Sequence, residues 1–424
     1  MARPKGTAKA EPVSPLLVRS LVHPDRKAIV EVVRFSADGR RLFTAGYPSC
    51  VMQFWDVAAG KELLRIDSPT GYRGSSETKP ELPADWSAVY MPNERRKDTR
   101  VDRDGRRELQ IDLEGEVLVF DAATGQPRSP LKATPGYGIP QVYLSPDGRK
   151  LVTMEQSSIR PGERKANRAV LWDTRTATSK PLGEGYAMAT FTPNAEQFAL
   201  CLNDHARQTG VLKLFRADGT ELAELVTVTD GRLIWPTMSA DGRRLAVMQA
   251  TGKGTQPATL RVWDLPARKE VATFPSRGSF PFSEFAFAAD GQRLAATDYR
   301  GGVQVWDVAT GMAVVEKSFG DGVRLWHLAF APDGRRLAVL GQPTWDRRAF
   351  PPPPDPLDLP QPRVFLFDLT AAAAEPDVLI CPHAYPHGNA VGGLAFSPDG
   401  RTLAVGGTGA VHLFDMTDPP ARKR

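Results

Sequence analysis

Residues 328–340 read LAFAPDGRRLAVL, an apolar run, an Asp-Gly pair, two basic residues and a second apolar run. Asp-Gly between apolar runs is a strong hairpin signal, because Gly accepts positive φ and Asp can bond the turn backbone. The phrase recurs as VRFSADGRRLFTAG from Val33, VYLSPDGRKLVTM from Val142, PTMSADGRRLAVM from Pro236, FAFAADGQRLAAT from Phe285 and LAFSPDGRTLAVG from Leu394. A degenerate copy, TFTPNAEQFALCL, begins at Thr190. After each hairpin comes a further short strand ending in an aromatic residue, usually followed by Asp. These pairs are Trp55-Asp56, Phe120-Asp121, Trp172-Asp173, Phe215-Arg216, Trp263-Asp264, Trp306-Asp307, Phe367-Asp368 and Phe414-Asp415, spaced 43 to 65 residues apart. Several lead into a second turn, as in DVAAGK, DAATGQ and DVATGM. Eight strand-turn-strand-strand units therefore fill the chain.

The paired motifs resemble the WD40 repeat family in a degenerate, prokaryote-like form, with a period of about 40 to 45 residues and four strands per propeller blade. The resemblance runs from about Leu16 to Asp415 and implies an all-β fold, a WD40-like β-propeller of eight four-stranded blades. Seven is the alternative should the charged second unit not form a full blade. Members often carry Gly-His before the first strand, feeding a buried His, Ser/Thr, Asp and Trp group. That Gly-His is missing here, so apolar packing is expected to hold most blades. A propeller must close to remove its exposed sheet edges. The last unit is followed by only MTDPPARKR, a poor strand, whereas LLVRSLV at 16–22 alternates well. The N-terminal strand is expected to complete the last blade. The organisation is then a basic tail over 1–14, one propeller over 15–416 and a tail over 417–424.

Composition narrows the function. The 424 residues are 41% hydrophobic and 24% charged, with 37 Gly and 37 Pro, as suits a soluble, turn-rich fold with a large core. No apolar run approaches the roughly 18 to 20 residues of a membrane span, and the start lacks the apolar core of a secretory signal. Three scattered cysteines fit a reduced, cytoplasmic protein. The net charge of +5, from 54 basic and 49 acidic residues, is too mild for a dedicated nucleic-acid binder. The densest basic stretch, Arg95 to Arg107, is interleaved with acids and reads as a solvated loop.

Catalytic motifs are missing: there is no Gly-x-Ser-x-Gly, Walker loop, His-Glu-x-x-His or Cys-x-x-Cys. Cys381, His383 and His387 could supply three zinc ligands, but their spacing matches no regular pattern and two prolines interrupt it, so no metal or other cofactor is expected. The segments nearest the ring axis read VRFS, VYLS, FAFA, LAFA and LAFS, apolar and small, which counts against a catalytic channel. His327 and Trp326 precede one of them and could reach its mouth. In such a fold the second-to-third-strand and inter-blade connections share one face. The longest stretches, 155–167, 203–210, 249–257, 341–362, 68–84 and 371–390, all belong to that set. Insertions gathered on one face mark a binding face. Within 341–362 (GQPTWDRRAFPPPPDPLDLPQP), a proline run extends the chain, and Trp345, Arg347, Arg348 and Phe350 are of the types that dominate interface hot spots. The expected function is a non-enzymatic, monomeric scaffold that binds a protein or peptide partner through these loops. A small-ligand binder or enzyme using the central channel is the alternative.

Overall fold

The computed structural model describes residues 16–417, apart from 48, 50, 68–78, 104–105, 159–164, 252–256, 278–280, 321, 344–361, 372–374 and 382–391, and without the side chains of 94–112 and 343. Every regular element described is a strand, so no helix there is long and apolar enough to cross a membrane. The strands form eight blades in a ring, spanning residues 29–67, 88–132, 137–184, 186–228, 232–275, 282–318, 323–380 and 394–415. Each is an antiparallel meander running outward from the axis. The last is finished by Leu17–Val22, which pairs Val22 with Ala410, Leu21 with Val411 and Ser20 with His412. The expected closure by the N-terminal strand is what the structure has. Arg19 on that strand also reaches into the first blade, donating to Ala58 O at 2.8 Å.

The apolar residues sort into eight clusters, one for each pair of neighbouring blades. Strand alternation makes this division. Leu403 and Val405 pack towards the seventh blade with Leu340 and Leu366, while Ala404 between them packs with Val30 and Leu42 of the first. Strands covered on both faces read as nearly continuous apolar runs, as in VMQFWD at Val51–Asp56.

The repeated phrase has a local explanation. In Ser36-Ala37-Asp38-Gly39, Gly39 N–H donates to Ser36 O at 2.8 Å, and φ is positive only at the glycine. The six Asp-Gly copies all place that glycine at φ between 66° and 71°. Ser36 Oγ donates to Asp38 at 2.6 Å and accepts from Arg41 N–H at 2.9 Å, so the serine two residues before the aspartate belongs to the motif. Ser145, Ser239 and Ser397 repeat it, and Thr192 with Asn194 does so in the degenerate copy. The aspartate of each aromatic-Asp pair builds the next turn: Asp121 accepts from the Ala123 and Thr124 amides, and Asp307 from Thr310. The second basic residue of the phrase lies opposite that aspartate. Lys150 meets Asp173 at 3.0 Å and Arg244 meets Asp264 at 3.0 Å.

These aspartates are held below their ordinary range, Asp38 by the Ser36 hydroxyl, Asp121 by Arg128, Asp173 by Lys150, Asp307 by the Thr310 amide and Asp415 by the Thr417 hydroxyl. A depressed folded value contributes stability that is full above the unfolded value, 3.8, and is lost as pH falls through the folded one. The thermal midpoint is therefore expected to stay level from about pH 7 to 5 and to drop progressively from about 4 towards 2. A midpoint unchanged at the acid end would contradict the turn role.

The second unit departs from expectation. The charged stretch is not a loop: Ala88–Arg103 and Arg106–Asp121 pair along their whole length, from Ala88 opposite Asp121 to Arg103 opposite Arg106. The sequence Arg-Asp-Gly-Arg at 103–106 carries the same hairpin signal as the repeats. The innermost strand of this blade is reduced to one bridge, Glu81 with Tyr90. It is nonetheless a blade with clusters on both sides, so the ring has eight. The polar group missing its Gly-His persists in part. Trp55 Nε1 donates to Thr44 Oγ1, and Trp172 Nε1 to Thr153 Oγ1, both at 3.0 Å.

Candidate functional site

The innermost strands enter from the inter-blade connections and leave by the Asp-Gly turns, so their first residues lie at the loop-face end of the channel. At that end they do not simply alternate. In the first blade the register breaks between Val30 and Val32, leaving Glu31 unpaired; in the sixth it breaks around Ser283, and in the seventh around Trp326. In the fifth the break spans Ile234 to Thr237, with Trp235 at a φ of 55°. A bulge adds one residue and re-aims a side chain. All four residues, Glu31, Trp235, Ser283 and Trp326, line a recess of about 470 Å³ in the channel.

Lys79, Gln141, Tyr143, Glu284, Tyr299 and His327 also belong to the polar and aromatic part of its wall. Lys79 sits in the connection leading to the second blade and Tyr299 between the second and third strands of the sixth, so the recess lies at the loop-face end. Among the described residues the eighth blade adds no side chain, its inner strand being entered through Gly392 and Gly393. A Cβ on Gly393 would stand 2.5 Å from Glu31 O, so glycine is needed for the first and eighth blades to meet.

The expectation of an apolar channel does not hold. VRFS, FAFA and LAFA are the ends of these strands nearest the Asp-Gly turns; the polar and bulky residues stand just before them, at Glu31, Glu284, Trp326 and His327. His327 lies within the seventh blade's inner strand, Val323–Phe330, with Nδ1 2.9 Å from Glu284 Oε2. That oxygen also accepts from Leu328 N–H at 3.2 Å. Burial pushes the Glu31 carboxyl up, against the opposing pull of Lys79 and His327. Among the described residues no hydrogen bond or ion pair reaches that carboxylate. Trp326 Nε1 is also buried with no partner among them, and its ring meets Tyr299 edge-on at 5.8 Å. Ser283 Oγ is 2.9 Å from Thr297 Oγ1 rather than beside a base.

Trp345, Arg347, Arg348 and Phe350 lie outside the described residues, as do His383 and His387. The ends of their loop are placed, since Gly341 pairs with Arg363 in the seventh blade, which also supplies Trp326 and His327. Cys381 is buried, and burial pushes its thiol up to about 12. No group of three or more potential metal ligands occurs among the described residues.

A family model described as WD domain, G-beta repeat, matches residues 380–415, the last unit of the ring. No curated protein matches the chain. Among solved structures it is similar to the C-terminal WD40 domain of Sif2, with a TM-score of 0.60 and 12% identity over 95% of this chain and 98% of that one. The chain is thus an eight-bladed β-propeller closed by its N-terminal strand, with one WD repeat matched in the sequence and the fold of a WD40 domain.

Proposed function

We propose that the chain is a non-catalytic, monomeric, cytoplasmic platform that holds a protein or peptide partner on its loop face, with the channel recess as anchor. The observation that carries this reading is that the recess opens at the end of the ring where the longest insertions emerge. Propellers of the WD40 type typically serve as protein-interaction scaffolds, and a rigid ring fixes loops from separate blades into one composite surface. Trp345, Arg347, Arg348 and Phe350 are proposed to add contacts beside the recess, since their loop springs from the blade that carries Trp326. The mild net charge favours protein over nucleic acid. A second reading, a small ligand held in the channel, is supported by the size of the recess, which falls within the range of ligand pockets.

The test is quantitative capture from native cell extract. The intact chain is compared with one in which 344–361 is replaced by a short Gly-Ser link, and with Trp326→Ala. Specific proteins retained by the intact chain are expected to fall by about thirtyfold or more in each variant, since Trp is a hot-spot residue costing about 2 kcal/mol or more on truncation. If the intact chain retains nothing, the platform reading fails.

A further inference from the structure

We propose that the recess takes a compact organic cation, an ammonium or guanidinium group, with Glu31 as its counter-ion and the aromatic rings of the wall around it. This deepens the platform reading and rests on the recess being its anchor. The charges of the wall decide between classes of guest. Two carboxylates, Glu31 and Glu284, face one lysine, Lys79, and Glu284 is already engaged by His327 and the Leu328 amide. An anion would meet both carboxylates. A neutral apolar guest would strip water from Glu31 and leave it without a partner, which is costly for a charge. A cation supplies the missing partner. The remaining wall suits it too: Tyr143, Trp235, Phe285, Tyr299 and Trp326 present five aromatic rings, and cations are drawn to such ring faces, to tryptophan most of all.

The backbone is shaped to this end. Three of the lining residues, Glu31, Ser283 and Trp326, are the extra residues of bulges, and Trp235 holds a positive φ that a bulky residue adopts only at a cost. Three bulges and one residue at positive φ, on four different blades, bring their side chains to one cavity. Acid should release the guest. As pH falls Glu31, whose carboxyl burial has pushed up, takes up a proton and ceases to be a counter-ion.

The experiment is calorimetric titration of the purified full chain with ethylguanidinium, butylammonium and tetramethylammonium, with the neutral isostere N-ethylurea beside them. At least one cation is expected to bind saturably at one site, N-ethylurea is not, and Glu31→Gln is expected to weaken the cation by about tenfold or more. Glu375→Gln, which changes a largely exposed carboxylate, should leave affinity unchanged. Raising pH from about 5 to 8 should tighten binding in the unaltered chain, a readout that needs no variant. No saturable cation binding, equal binding of N-ethylurea, or full affinity in a folded Glu31→Gln protein would each overturn the proposal. Acetyl-Gly-Arg-Gly-amide and its lysine counterpart separate the sources: tighter binding than the bare cation assigns the site to a partner's side chain, and equal binding to a free amine. Cation binding without any captured protein keeps the site and removes the platform. Capture indifferent to Glu31→Gln, with no cation bound, does the reverse.

Discussion

Leu21→Asp is expected to destabilise the ring by about 4 kcal/mol or more and to make the protein associate, whereas Val18→Asp on the same strand is expected to do neither. Leu21 is 2% exposed and packs with Val30, Leu42, Val411 and Leu413 in the cluster joining the last blade to the first. Val18 is 66% exposed. An aspartate at 21 must either bury a charge among those side chains or pull the strand away from Val411. In the second case Ala410–Asp415 becomes an open edge, its backbone groups free to pair with another chain. The measurement is a fixed-rate thermal scan with light scattering of both variants beside the parent. A shift of roughly 5 °C or more for Leu21→Asp alone fits the closing role, given that each kcal/mol moves a large domain by a degree or two. Loss in neither would mean that the ring does not depend on this strand, and equal loss in both that its buried face is not the one described.

That strand was legible because closure is forced. A chain of repeats that ends one strand short must borrow it from the other end, and LLVRSLV was the alternating segment available. The blades were legible for a related reason: Asp-Gly turns and aromatic-Asp turns are local, and each writes its chemistry into a few adjacent residues. Even so, Ser36 and its counterparts went unread, because a serine two residues before an aspartate has no distinct sequence signal until its hydroxyl is seen bonding the turn. The second unit shows the opposite error. Charge density suggested a loop, yet the Asp-Gly at 104–105 favours a hairpin, and the two strands pair along their whole length. The recess was hidden for a geometric reason. Strand periodicity assumes one residue per step, and a bulge breaks that count where Glu31, Ser283 and Trp326 turn inward. A charged or bulky residue just ahead of a small apolar tetrad was the available clue.

The loop face also depends on a buried charge, which gives the second large expected effect. Arg168→Met is expected to destabilise the protein by about 3 kcal/mol or more, while Glu155→Leu combined with Arg168→Met recovers most of the loss. The Glu155 side chain has no exposure, and it accepts from Arg168 Nε at 2.9 Å and Nη2 at 2.7 Å and from Thr134 N–H at 3.3 Å. The guanidinium lies over the Tyr137 ring at 4.4 Å and also donates to Thr134 Oγ1, so one side chain binds the third blade to the connection that precedes it. Removing the arginine strands a carboxylate in the interior; removing both charges leaves an apolar contact of similar volume. Arg168→Lys should fall between, since an ammonium keeps the charge but loses the two-pronged bond and the flat stack on the ring. Denaturant unfolding of the four proteins reads the coupling directly. A double variant as unstable as Arg168→Met alone would place the loss in the packing of the arginine stem rather than in the charge. The same pair stands at the base of the 155–167 insertion, where Asn167 fixes the returning chain through Ser157 N–H at 3.0 Å and Gly185 N–H at 2.7 Å. A surface assembled from loops is only as well defined as the points where those loops leave the ring. Arg168→Met is therefore expected to weaken partner capture even at temperatures where the ring remains folded.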